Sequence, residues 1–179
     1  MLDLDNTTLV IIDIQGNLYE SMYNKDFLYE SLSKMIAIAK LLEIPTLVTE
    51  QIPEKLGPTI PKLADQLTGV TFISKSYFSS CKDDGFVEAL KDINRGQILM
   101  TGIETHVCVY QTSLDLMEMG YEVNVIADCV SSRTALNREL GIDRLVASGA
   151  KLSSVEMASF ELLKLGEGEK FRQMIKIVK

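Results

Sequence analysis

Short runs rich in aliphatic residues alternate along the chain with longer segments whose apolar residues recur at helical spacing. Thr8 to Ile14 (TLVIIDI) is almost continuously apolar, as a strand buried on both faces must be. Lys25 to Leu42 places Leu28, Leu32, Met35, Ile36, Ala39 and Leu42 on one helical face. Further strands are predicted at Thr46–Thr49, Val70–Ser74, Gln97–Thr101, Glu122–Ala127 and Lys151–Val155. Helices are predicted to about Leu67, then at Asp84–Ile93 behind an Asp83 or Asp84 cap, at His106–Met119, Asn137–Gly149 and Met157–Leu165, with one more in the tail from Glu169 to Val178. Gly120 and Gly149 supply C-terminal stop signals. Glu50 to Thr59 has loop chemistry.

Repeated strand–helix alternation implies an α/β fold with three layers. Its six-stranded, mostly parallel sheet carries helices on both faces. The expected strand order is 3-2-1-4-5-6, which puts the chemistry at the carboxyl ends of the strands, where the order reverses. The 179 residues fit a single domain spanning 1–179.

Three reactive side chains fall at that edge. Asp13 ends the first strand, Lys75 follows the third, and Cys108 follows the fourth at the start of the predicted His106–Met119 helix. Each has an ordinary reading: a buried cap or ion pair for Asp13, a surface lysine for Lys75, a small packing residue for Cys108. Together they form a base, a cation and a nucleophile converging from strands one, three and four. A helix N-terminus would favour the thiolate.

The remaining chemistry is sparse. Hydrophobic residues make up 46% of the chain, charged residues 24%, and the net charge is −7. That balance argues against nucleic acid and anionic membrane as partners, because phosphate binding needs clustered Lys and Arg. The N-terminus has acids where a secretory signal would have positive charge, so a cytoplasmic location is expected. Three irregularly spaced cysteines (Cys81, Cys108, Cys129) suggest no disulfide framework, and Cys81 and Cys129 read as packing residues. Neither a nucleophile elbow nor a dinucleotide fingerprint occurs, so no cofactor is expected.

The segments VIIDIQGNL, SKSYFSS and TGIETHVCV, in this order and spacing, resemble the signature stretches of the isochorismatase-like cysteine hydrolases, a group that includes nicotinamidases and N-carbamoylsarcosine amidases. DCVSSR (Asp128–Arg133) and SVEMASFELL (Ser154–Leu163) resemble the same superfamily, and the likeness runs from about Thr8 to Leu165. The resemblance implies Asp13 as general base, Lys75 as orienting cation and Cys108 as nucleophile. It also implies a cis peptide between Ile103 and Glu104, with the Glu104 and Cys108 N–H groups as the oxyanion hole. The Glu104 side chain itself reads as a solvated or salt-bridged acid.

One departure bears on metals. Nicotinamidases carry a metal site of an acid and histidines after the second strand, and the matching TEQIPEKLGPTIPKL has no histidine. No metal is expected, since even a catalytic zinc needs about three protein ligands. The sole histidine, His106, reads as a pocket-edge or interface residue. Candidate pocket walls are Gln15, Leu18, Gln51, Tyr77 and Phe78, with residues from Glu50 to Pro61 as the rim. The expected activity is hydrolysis of a small amide or related carbonyl compound through an acyl-enzyme. Vinyl ether hydrolysis and a redox-sensing or binding role are the alternatives. A homo-oligomer is expected from the resemblance.

Overall fold

The computed structural model describes residues 1–179. Six strands form one all-parallel sheet in the order β3-β2-β1-β4-β5-β6. They are β1 (Thr7–Ile12), β2 (Thr46–Gln51), β3 (Phe72–Lys75), β4 (Gln97–Ile103), β5 (Glu122–Ser131) and β6 (Lys151–Ser153). The helices are α1 (Gly16–Glu20), α2 (Lys25–Leu41), α3 (Pro53–Leu56), α4 (Pro61–Ala64), α5 (Asp84–Ile93), α6 (Tyr110–Glu118), α7 (Ala135–Ala147), α8 (Val155–Leu163) and α9 (Gly168–Val178).

The run of apolar residues in β1 is explained by its central place. Leu9 and Ile11 point to one face, where they join Leu32, Met35 and Ile36 of α2, Leu162 of α8 and Met174 of α9. Val10 and Ile12 point to the other, among Phe86 and Leu90 of α5, Leu116 of α6 and Leu145 of α7. Each such side chain, fully buried, contributes about 1.5–3 kcal/mol. Every apolar position predicted for α2 is buried. No helix is long and apolar enough to cross a membrane.

The sheet extends further toward the functional edge than its apolar runs suggest. β2 continues through Glu50 and Gln51, β3 through Lys75, β4 through Gly102 and Ile103, and β5 to Ser131. These residues are polar or irregular in pattern, yet their backbones still pair. Between β4 and β5 the register shifts: β4 advances from Met100 to Gly102 while β5 advances from Val125 to Val130. Arg138 of α7 fills the resulting gap, its Nε donating to the Val130 carbonyl at 2.9 Å and its guanidinium also reaching the Ala127 carbonyl. The short helices α1 and α3 went unpredicted because neither is long enough to carry a periodic pattern. β6 stops at Ser153, since the Ser154 side chain caps α8 by accepting from the Met157 N–H.

Gly102 is required where it stands. Its φ is +114°, and a Cβ there would lie 2.2 Å from the Ile12 carbonyl oxygen on the neighbouring strand. Glycine therefore lets β4 approach β1 just before the two strands deliver their functional residues.

Candidate active site

The chain leaves β1 at Asp13 with φ +52°, a left-handed conformation that Asp tolerates better than most residues. Its N–H donates to the Thr49 carbonyl at 3.1 Å, which holds the turn against β2. The carboxylate is fully buried and doubly held. Oδ1 accepts from Thr49 Oγ1 at 2.7 Å, and Oδ2 accepts from Lys75 Nζ at 2.7 Å.

Lys75 is the last residue of β3 and is paired in register with Gln51. Its side chain crosses over β2 to reach Asp13, and no part of it is exposed. Beyond Asp13, Nζ donates to Gln51 Oε1 at 2.7 Å and, at longer range, to the carbonyls of Tyr77 at 3.2 Å and Phe78 at 3.4 Å. Burying two charges costs several kcal/mol for each ion, recovered only when geometry and remaining hydrogen bonds are good. Here each Asp13 oxygen has a donor, and every ammonium proton of Lys75 has an acceptor.

Cys108 closes the group. It is 7% exposed, and its thiol lies near enough to Asp13 and Lys75 to feel both charges. The thiol is pushed up to about 12, first by burial, then by the negative charge of Asp13, with Lys75 pulling the other way. The expected helix start at Cys108 takes a different form here. Cys108 does not stand in the first turn of an α-helix. It lies in a wide turn, Thr105–Val109, in which the Val107 and Val109 N–H groups both donate to the Glu104 carbonyl. The α-helix proper starts at Tyr110. Burial beside a carboxylate then outweighs the cation and favours the protonated thiol.

The Ile103–Glu104 peptide is cis. The Glu104 N–H has no acceptor within the protein. The Glu104 carboxylate is buried and salt-bridged: Oε2 accepts from the Arg133 backbone N–H at 3.0 Å and from its Nε at 3.2 Å. Arg133 thus fixes the segment that presents the Glu104 N–H. Gly141 of α7 lets that helix meet the same segment, because a Cβ there would lie 2.9 Å from the His106 nitrogen.

The candidate pocket residues divide. Gln15 is fully buried and its amide is used within the protein. Oε1 accepts from the Gln51 N–H at 2.6 Å, and Nε2 donates to the carbonyls of Gln51 at 3.2 Å and Gly57 at 2.7 Å. It braces the rim segment against β2. Leu18 packs against the core face. Tyr77 and Phe78 turn toward Lys75 only their carbonyls; their side chains are 60% and 55% exposed and line a depression of about 430 Å³ with Leu114 and Asp115. His106 sits beside the wide turn, with Nδ1 3.0 Å from Ser132 Oγ, at the edge of a cavity of about 220 Å³ shared with Tyr110 and Arg144.

Thr49 and Arg133 are functional neighbours that sequence reasoning missed. Thr49 carried a usable signal: a hydroxyl inside the apolar part of β2, paired in register with Ile12 and so beside Asp13. Cys81 and Cys129 lie apart from this group, and burial is the first cause pushing both thiols up. No three His, Cys, Asp or Glu side chains cluster as metal ligands. At the end of β2, the donors in the nicotinamidase-like position are Glu50, which accepts from the Thr59 N–H at 2.7 Å, and the neutral Gln51, a set that does not fit a metal ion.

Comparison with known proteins gives a consistent picture. Residues 7–157 match the family described as Isochorismatase domain. The chain is 34% identical over 180 residues to a secreted isochorismatase effector of Phytophthora sojae, covering 97% of this chain and 85% of that one. It is 33% identical over 180 residues to mouse isochorismatase domain-containing protein 2A, covering 98% and 84%. Among solved structures, a Caenorhabditis elegans protein described as MAR1 ribonuclease superposes with a TM-score of 0.93 at 31% identity, covering 99% of this chain and 91% of that one. The fold is shared with Escherichia coli YcaC, described as an octameric hydrolase of unknown specificity, at a TM-score of 0.93 and 22% identity, covering 98% and 89%.

Proposed function

The chain belongs to the isochorismatase domain family of hydrolases, and from that premise we propose that it hydrolyses a small amide or related carbonyl compound through a covalent intermediate on Cys108. The observation that carries this reading is the buried Asp13–Lys75 pair with the buried Cys108 thiol within reach of both charges.

A thiol held near 12 by burial and by a neighbouring carboxylate is a poor free nucleophile but a good partner for general-base catalysis. As the sulfur attacks the carbonyl carbon, Asp13 takes the thiol proton. The carbonyl electrons move onto oxygen, which is received by the N–H groups of Glu104 and Cys108. Each such donor is worth roughly 10²–10³ in kcat. Collapse of the tetrahedral species expels the amine, which takes the proton back from Asp13. Asp13 then activates water, water attacks the thioester, and the acid leaves as the thiol is restored. Lys75 holds the Asp13 carboxylate in place through their 2.7 Å contact.

The redox-sensor alternative is weakened by the same geometry, because sensor cysteines are accessible and carry substantial thiolate. Vinyl ether hydrolysis needs no cysteine nucleophile, so it would leave Cys108 without work. The ribonuclease description of the worm relative finds little support here, since the net charge is −7 and the Lys75 ammonium is buried and saturated. Three free cysteines support work in a reducing compartment such as the cytoplasm, and the exposed Leu136 and Leu140 of α7 offer apolar surface for a homo-oligomer. A screen of small amides with Cys108→Ser in parallel tests the reading. Turnover confined to the wild type supports it, and equal turnover by the variant refutes it.

A further inference from the structure

We infer that Gln51 is a positioning residue of the hydrolytic site, holding the Lys75 ammonium beside Asp13 and Cys108 with a neutral acceptor. The inference rests on the triad reading above and gives Gln51 a task other than lining a pocket.

Gln51 is buried, and every hydrogen-bonding group it has is engaged. Its Oε1 accepts from Lys75 Nζ at 2.7 Å, the same distance as the Asp13 contact. Its Nε2 donates to the Ser76 carbonyl at 2.9 Å, which fixes which end of the amide faces the lysine. Its backbone N–H donates to Gln15 Oε1, and its carbonyl accepts from Gln15 Nε2. The in-register pairing of Gln51 with Lys75 keeps the two side chains neighbours on adjacent strands. The ammonium has three protons to place. Two go to Gln51 and Asp13 at short range, and the third is shared by the longer contacts to the Tyr77 and Phe78 carbonyls.

The identity of the acceptor matters as much as its position. A carboxylate at residue 51 would divide the lysine's charge between two anions and add a negative charge near the sulfur. Both effects oppose thiolate formation. An aliphatic side chain would leave one ammonium proton without an acceptor in a buried place, and the cation would move away from the site. Glutamine avoids both outcomes.

The test needs no substrate. In a Cys81→Ala, Cys129→Ala background, iodoacetamide alkylation of Cys108 is timed at about pH 8, well below the thiol's titration, where rate follows thiolate fraction. Gln51→Glu should slow alkylation about tenfold, the equivalent of about one pKa unit, and Gln51→Met by a smaller factor. A brace without electrostatic purpose predicts the opposite sign: loosening the site would expose the sulfur and speed alkylation. Rates unchanged or raised in both variants overturn the inference. Asp13→Asn and Lys75→Met serve as references, the first expected to speed alkylation and the second to slow it. If these references respond and the Gln51 variants do not, the Gln51 assignment fails alone. If neither reference responds, the triad reading itself fails. Far-UV and near-UV circular dichroism of each variant establishes that the rates refer to folded protein.

Discussion

Removing one member of the Asp13–Lys75 pair should damage the fold more than the same change does when its partner is also gone. In Lys75→Met the stem is largely kept and the charge is lost. Asp13 then remains fully buried, with the Thr49 hydroxyl as its one strong remaining partner and the Cys108 thiol beside it. Gln51 Oε1 and the Tyr77 and Phe78 carbonyls lose their shared donor. Breaking a buried ion pair from one side typically costs about 3–5 kcal/mol, out of a total stability of about 5–15 kcal/mol. Asp13→Asn should cost less, because the stranded ammonium keeps Gln51 and the two carbonyls. The double variant buries no unpaired charge, so its loss should fall short of the sum of the singles by about 1–3 kcal/mol. Urea unfolding of the four proteins at neutral pH, with equal m-values as the check on two-state behaviour, gives the cycle. Losses that add to within about 0.5 kcal/mol would mean the two groups do not depend on each other, and the contact at the centre of the site would be energetically empty.

The remaining predictions concern other parts of the same architecture. Stability should decline at alkaline pH, because Cys108 and Cys81 are held up to about 12 against an ordinary 9.0 and Cys129 well above it. In that window the folded state binds more protons than the unfolded state, so the contribution is complete below 9.0 and is lost as pH rises toward 12. Thermal melts of wild type against Cys129→Ala between those limits check this, and a flatter decline in the variant is expected. Gly102→Ala should lower stability by at least about 3 kcal/mol, through forbidden φ and a clash with the β1 backbone, seen as a fall in Tm of about 6–12 °C. A chelator should leave amide turnover unchanged, since no three ligating side chains cluster; activity lost with a stoichiometric metal and regained on its return would contradict this.

The central architecture was legible because the inner strands of the sheet announce themselves as short apolar runs and the long helices as stripes. β1 and α2 are the clearest cases, since every residue of β1 is buried and α2 buries one apolar stripe. Given the order 3-2-1-4-5-6, Asp13, Lys75 and Cys108 had to converge. What the sequence did not reveal lies where pattern and burial part company. Gln51 and Lys75 continue their strands with polar side chains, buried because they satisfy one another. The surroundings of Cys108 were hidden for a related reason. Its surroundings come from three separate strands, and a wide turn was not distinguishable from an ordinary helix start. The Glu104–Arg133 pair joins residues far apart in sequence, with no local signal in either segment.

The claim at the centre of this account is that Cys108 forms a covalent bond to substrate. Once the amide screen yields a substrate, acid quenching during turnover followed by intact-protein and peptide mass spectrometry tests it directly. The account predicts a mass increase equal to the acyl portion, confined to the peptide bearing Cys108, appearing before product and absent in Cys108→Ala. Turnover with no adduct at any time, and undiminished in Cys108→Ala, would contradict it.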